Sequence, residues 1–243
     1  DVESRGLGDV YKRQEHPYFE NLAKPNLVPA ASGNADILLE QNTATHLSQV
    51  MEKINGWQQI VPVSGWRSLK EQQDIFKQSL KDNGRTFTQQ FVALPGKSEH
   101  QTGLAIDLGL KKESIDFIRP DFPYIGICQQ FREKSVPYGF IERYPREKEH
   151  ITGIAHEPWH FRYVGTPHAE IMREHHFCLE EYIDFLKRFS QDQPYTFYKD
   201  SQEIQIFYLK ADTESVSLEV AEDGSLSVSG NNVDGYIITE WRG

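Results

Sequence analysis

The chain has 243 residues and a mass of 28.1 kDa, with 38% hydrophobic and 26% charged side chains, enough for one good core and a small second one. Its 36 acidic and 26 basic residues leave a net charge of −10 and a pI near 5.4, which argues against a nucleic acid as the main partner. No stretch approaches the roughly 20 consecutive apolar residues that cross a bilayer, and the two cysteines, Cys128 and Cys178, do not make a disulfide framework, although one bridge between them is open.

Residues 1–14 have no hydrophobic period and read as a leader foreign to the fold. The chain as written is expected to be cytoplasmic, with a membrane-anchored or exported form as the alternative if coding sequence is missing ahead of Glu15. After a proline-rich lead-in, Ala44, Leu47, Val50, Met51 and Ile54 recur at three- and four-residue intervals before Gly56, which predicts an amphipathic helix. Residues 58–65, QQIVPVSG, read as a strand. The run Ser68–Glu71 then supplies a capping box for a second helix, expected to end near Asn83 and Gly84. Arg67 falls on the corner between them, where two rigid elements can aim a side chain into a cleft.

Residues 103–110 predict a buried strand, 124–135 a helix, and 139–144 and 159–165 two further strands of aromatic and β-branched bias. In the last of these, alternation places Trp159, Phe161 and Tyr163 on one face and His160, Arg162 and Val164 on the other. A terminal amphipathic helix is expected from Leu179, followed by a linker at 190–194. Beyond Gln193 the alternating segments at 195–200, 203–211, 215–230 and 235–241, with Asp-Gly and Gly-Asn turn signals, predict a small β module of about fifty residues, a size at which isolated folding is marginal and packing on the larger unit is expected.

The chemistry lies in two segments. SEHQTGLAID places His100 seven residues before Asp107, and EPWH places Glu157 three residues before His160. Two imidazoles and one carboxylate make a three-ligand zinc set with an open fourth position. In a uniform strand His100 and Asp107 would face opposite sides, so the chain must turn at or near Gly103. Asp107, set in the apolar run LAIDLGL, would be a costly buried charge that a metal relieves. By chemistry alone the alternatives stay open, since Asp107 equally suits a turn cap or an arginine partner and a lone histidine is more often a hydrogen-bonded polar residue than a ligand. The remaining histidines receive no role, and the pair His175 and His176 reads as a solvated helix end.

SEHQTGLAID matches a SxHxxGxAxD motif and EPWHFRYVG an ExxWH motif, and on these the chain resembles the zinc D,D-peptidases of the VanX, VanY and VanXY type, most closely the bifunctional VanXY enzymes, from about His16 to Phe189. The resemblance implies an α+β fold with a central antiparallel sheet flanked by helices, a catalytic domain over 15–190 and an additional β module over 194–243 that short members lack. It implies one zinc ion per chain on His100, Asp107 and His160, with Glu157 as general base and Arg67 polarising the scissile carbonyl. Ser98 and, five residues after Arg67, Gln72 resemble partners of the substrate carboxylate; Trp66 and Trp159 shape the pocket or fill the core. The implied substrates are peptidoglycan precursors ending in D-Ala-D-Ala and the free dipeptide, in a vancomycin-resistance or wall-remodelling role. The rivals are an L,D-carboxypeptidase or endopeptidase on the same metal core, and a non-catalytic wall-binding protein.

Overall fold

A computed structural model describes residues 25–32, 34–211, 224–231 and 234–242. The expected leader, and the first part of the strand segment expected at 215–230, lie outside the described residues.

An antiparallel hairpin of β1 (Leu27–Ala31) and β2 (Asn34–Glu40) opens the fold, in a region where the prolines suggested no strand. Helix α1 (Gln41–Lys53) follows directly, its first turn capped by the Glu40 carboxylate accepting from the Asn42 and Thr43 N–H groups at 2.9 and 3.1 Å. Its buried Leu47, Val50 and Met51 are the residues whose spacing predicted it. Strand β3 (Ile60–Ser64) leads through the Arg67 corner into α2 (Leu69–Phe91), which starts at the expected Ser68–Glu71 capping box. The predicted end at Gly84 is a kink instead: Gly84 takes φ 78° and ψ 173°, and helix resumes beyond it. Thr88 ties the second segment back, its hydroxyl donating to Gly84 O at 2.9 Å and lying 2.8 Å from Ser79 Oγ.

The central sheet adds β4 (Ala105–Leu110), then α3 (Gly126–Ser135), β5 (Phe140–Tyr144), the single turn α4 (Glu149–Thr152) and β6 (Glu157–Tyr163). Its order is β3-β4-β6-β5, antiparallel throughout. One face carries Ile106, Leu108, Phe140, Trp159 and Phe161, buried against Leu47, Val50 and Met51 of α1 and Cys128 and Phe131 of α3. Alternation sends Asp107, His160 and Arg162 to the other face, as expected.

On that second side lie α5 (His168–His175), which sequence periodicity did not predict, and α6 (Leu179–Leu186), which it did. Beyond them β7 (Tyr195–Lys199), β8 (Gln202–Lys210), β9 (Ser225–Gly230) and β10 (Gly235–Arg242) form a second antiparallel sheet in the order β7-β8-β10-β9. Ile204, Ile206 and Ile237 of this sheet, Leu179, Ile183 and Leu186 of α6, Ile171 and Met172 of α5 and Ile141 of β5 belong to one buried cluster. The second sheet therefore completes a core that begins under the central one. Cys128 and Cys178 are free thiols, each buried, so the bridge left open by the sequence is not formed.

Candidate metal centre

The three residues expected to bind metal come from three different local structures. His100 sits in a short 3-10 turn, Glu99–Thr102, and Asp107 and His160 are directly opposed on the neighbouring strands β4 and β6. The turn of chain required between His100 and Asp107 occurs at Gly103, which has φ 74° and closes the 3-10 turn. That conformation favours glycine, and a side chain there would also bring its Cβ to 2.8 Å from the Glu40 backbone nitrogen. Gly65 is required for space: a Cβ would lie 2.3 Å from Leu38 O, because the β2 hairpin presses against the corner.

His100, Asp107 and His160 are all buried, and one ligand atom from each can be chosen so that all lie within 4.8 Å of one another, the one such group of His, Cys, Asp and Glu among the described residues. His100 Nδ1 donates to Gly65 O at 2.7 Å, so its Nε2 carries the lone pair; that atom, 3.2 Å from Asp107 Oδ2, is buried and makes no hydrogen bond among the described residues. His160 presents the opposite nitrogen. Its Nε2 lies 2.8 Å from Glu99 Oε1, and its Nδ1 lies 2.8 Å from Asp107 Oδ1 and faces the site. Each ring is thus oriented through one nitrogen by an oxygen acceptor while the other points inward, the arrangement in which histidines ligate metals. Two imidazole nitrogens and a carboxylate oxygen suit zinc, and the buried Nε2 lone pair meets no N–H or O–H donor among the described residues.

The electrostatics agree. Burial, reinforced by the Arg67 charge, pushes His100 down to about 4, so it is a neutral imidazole at physiological pH. Burial alone would raise Asp107, but His100 and His160 outweigh it and hold the carboxyl well below the usual carboxylate range. Burial opposes a charged His160, yet Asp107 and Glu99 push it up to about 9, so two carboxylates draw a proton into the place where a cation would serve.

Glu157 begins β6, buried, with Oε2 3.7 Å from His160 Nδ1. Three residues apart on a regular strand, Glu157 and His160 would face opposite sides. They share the site because regular alternation does not hold over this stretch: the β5–β6 pairing is irregular between the pairs Glu142↔Phe161 and Tyr144↔Glu157. Arg67 reaches the same cleft, its Nη2 3.8 Å from Asp107 Oδ2, and its backbone N–H donates to His100 O at 3.2 Å. Ile75, Phe91, Phe117, Ile118 and Trp159 supply the apolar walls. Trp66 instead donates its indole N–H to Gln101 O at 3.1 Å.

Ser98 precedes the 3-10 turn, fully buried, its Oγ without a hydrogen-bond partner among the described residues. Gln72 is fully buried on α2 and donates its Nε2 to Ala93 O at 2.8 Å, pinning the helix to the loop ahead of Ser98; neither residue lines the cleft itself. His175 ends α5 and His176 caps it, both exposed, as the helix-end reading expected.

Glu99 was not among the residues expected at the site. Its Oε1 also accepts from Tyr144 OH at 3.2 Å, while Oε2 meets Arg162 Nη1 at 2.7 Å and Arg143 Nε at 3.4 Å. Arg143 in turn gives Nη1 and Nη2 to the two oxygens of Glu180 on α6 at 2.9 and 2.7 Å. Burial opposes its charge, but Arg143, His160 and Arg162 hold Glu99 well below the usual range.

Residues 36–166 match the family described as VanY, D-alanyl-D-alanine carboxypeptidase. The chain belongs to that family. It is 45% identical over 174 residues to the bifunctional D-Ala-D-Ala dipeptidase and D-Ala-D-Ala carboxypeptidase VanXYC of Enterococcus gallinarum, a match covering 71% of this chain and 92% of the relative. A D-alanyl-D-alanine carboxypeptidase of Enterococcus faecium is 33% identical over 213 residues, covering 86% of this chain and 64% of that relative. Among solved structures, the vancomycin-resistance D,D-dipeptidase VanXYg, in complex with a D-Ala-D-Ala phosphinate analogue, superposes with a TM-score of 0.92 at 51% identity over 97% of this chain and 94% of its own. That extent takes in the second sheet as well as the central one.

Proposed function

We propose that this VanY-family chain is a zinc-dependent D,D-peptidase that removes the terminal D-alanine from peptides ending in D-Ala-D-Ala and also cleaves the free dipeptide. The observation that carries the reading is the convergence of His100, Asp107 and His160 with Glu157 set beside them at the end of the same cleft. The relatives named above act on that terminus.

His100 Nε2, His160 Nδ1 and an Asp107 oxygen would hold one zinc ion per chain, which when bound supplies Lewis acidity to the scissile carbonyl and brings a water towards a pKa near 7. Glu157 takes a proton from the attacking water and returns it to the leaving amine of D-alanine, a role typically worth roughly 10²–10⁴-fold in rate. Arg67, beside Asp107 in the cleft, offers a permanent positive charge to the oxyanion that develops on the carbonyl. The substrate carboxylate needs donors. Ser98 and Gln72 are proposed for that role from behind the cleft lining: the Ser98 hydroxyl engages no acceptor among the described residues, whereas Gln72 must also serve Ala93 O and is the weaker partner. The apolar walls suit the methyl groups of alanine and keep water from the charges.

Residues 15–190 form the catalytic unit in this reading, and 194–243 a β module that supports it through the shared core. The precursor peptides of peptidoglycan are the physiological substrates, and loss of their termini removes the ligand of vancomycin. Among the described residues no helix is long and apolar enough to cross a membrane. Two buried free thiols accord with a reducing, cytoplasmic setting.

The test is to incubate the zinc-loaded protein with D-Ala-D-Ala and with a pentapeptide ending in it, and to measure D-alanine release. Release is expected from both. No release from either with zinc bound refutes the proposal, and release only from tetrapeptide or cross-linked substrates transfers the chain to the L,D-carboxypeptidase or endopeptidase reading.

A further inference from the structure

Resting on the zinc reading of the same site, we propose that Glu99 is a positioning residue of the metal centre: it orients the His160 ring through Nε2 and is itself held by a buried chain of charges that ends on helix α6. The two oxygens of Glu99 do different work. Oε1 takes His160 Nε2 at 2.8 Å and Tyr144 OH at 3.2 Å, both neighbours of the ligand ring, since Tyr144 and His160 pack with ring centroids 5.1 Å apart. Oε2 takes the arginines, Arg162 at 2.7 Å and Arg143 at 3.4 Å. A carboxylate present only to neutralise arginines would not need its other oxygen on an imidazole.

The clamp continues. His160 and Arg162 project from one face of β6, so a single carboxylate grips two successive inward side chains of that strand. Arg143, on the adjacent β5, is locked by both oxygens of Glu180. Glu99, Arg143, Arg162 and Glu180 are all buried, and their two positive and two negative charges balance. Fully paired charges at this depth add little to stability over an apolar core of the same shape, but they fix geometry, because no member can move without leaving another unpaired. Glu99 also adjoins His100 in the chain, so the residue that orients one ligand is covalently attached to another.

The test compares Glu99→Gln, Glu99→Asp and Glu180→Gln with the wild type in three measurements: zinc affinity by competition with a chromophoric chelator, the proton resonance of the His160 Nε2–H in the zinc-loaded protein, and thermal unfolding of the metal-free protein. Glu99→Asp keeps the negative charge for the arginines but withdraws the carboxylate by one methylene, which keeps the test valid if Glu99→Gln does not fold. Removing an outer partner of a ligand histidine typically costs 10–100-fold in metal affinity. Both Glu99 variants should weaken zinc by about that factor and move the N–H resonance upfield from its carboxylate-bonded position. Glu180→Gln, two links away, should lower the unfolding temperature and weaken zinc less than either Glu99 variant. Unchanged zinc affinity and an unmoved resonance in Glu99→Asp overturn the proposal, as does a Glu180→Gln variant that loses zinc affinity as severely. A wild-type chain that binds no zinc overturns the function proposed above and this inference together, whereas tight zinc binding in every variant overturns this inference alone.

Discussion

Replacing Ile206 by alanine tests whether the second sheet is part of the enzyme's core or a separate attachment. Ile206 is fully buried in β8, opposite Thr239 of β10 and Tyr195 of β7, in the cluster that includes Leu179, Tyr182, Ile183 and Leu186 of α6. Shortening such an isoleucine to alanine costs about 2–5 kcal/mol, the transfer of the deleted carbons plus the cavity they leave. At about 2–4 °C per kcal/mol for a chain of this size, the melting temperature should fall by about 4–20 °C. The informative quantity is which structure melts. Because the cluster runs from β8 through α6 to Ile141 of the central sheet, calorimetric unfolding and heat inactivation of D-alanine release should shift together, as one transition. Two transitions, with inactivation unmoved by the substitution, would refute the shared core and make the second sheet an independent domain.

Glu157→Ala should retain stoichiometric zinc while kcat for D-alanine release falls by roughly 10²–10⁴-fold; metal analysis alongside a D-alanine assay checks both halves. Gly103→Ala must hold φ 74° with a side chain whose Cβ meets the Glu40 nitrogen at 2.8 Å, so it should lose at least about 1–2 kcal/mol in denaturant unfolding and bind zinc more weakly as the His100 turn shifts. His168 lies buried between Tyr182 OH at 2.9 Å and Thr239 Oγ1 at 3.1 Å, and burial pushes it down to about 3. Its folded value lies below the unfolded one, so its contribution is complete above about pH 6.5 and is lost as pH falls. Stability should drop by about 2 kcal/mol from this group between pH 7 and pH 5, and His168→Asn should flatten that part of the urea-midpoint profile.

The pattern of alternation in residues 159–165 was sufficient to place His160 apart from the aromatic face, and the capping box located the start of α2 to the residue. The convergence of His100, Asp107 and His160 was legible because they stand in short motifs. Glu157 shows where periodicity stops: three residues from His160 on β6 it still lies 3.7 Å from His160 Nδ1, over a stretch where the pairing with β5 is irregular, which simple alternation does not anticipate. Glu99 was missed because a glutamate beside a histidine reads as solvated surface. The available signal was on other strands, in Arg143 and Arg162, two arginines within apolar β segments that each demanded a buried counter-charge. The N-terminal hairpin escaped because Pro29 lowers the strand propensity of β1, which among the described residues pairs only with β2, outside the two larger sheets.

The corner that carries Arg67 and the turn that carries His100 are joined by a backbone hydrogen bond, and the β2 hairpin closes on both through Trp66 N to Leu38 O at 2.6 Å and Glu40 N to Gly103 O at 2.9 Å. For inhibitor chemistry this means that the Arg67 cation and the His100 imidazole proposed to hold zinc sit in one stiff frame. A rigid compound that spans them with an anionic group and a zinc-chelating group spends little binding energy on ordering the protein, so stiffening its linker should slow its escape more than adding further apolar bulk.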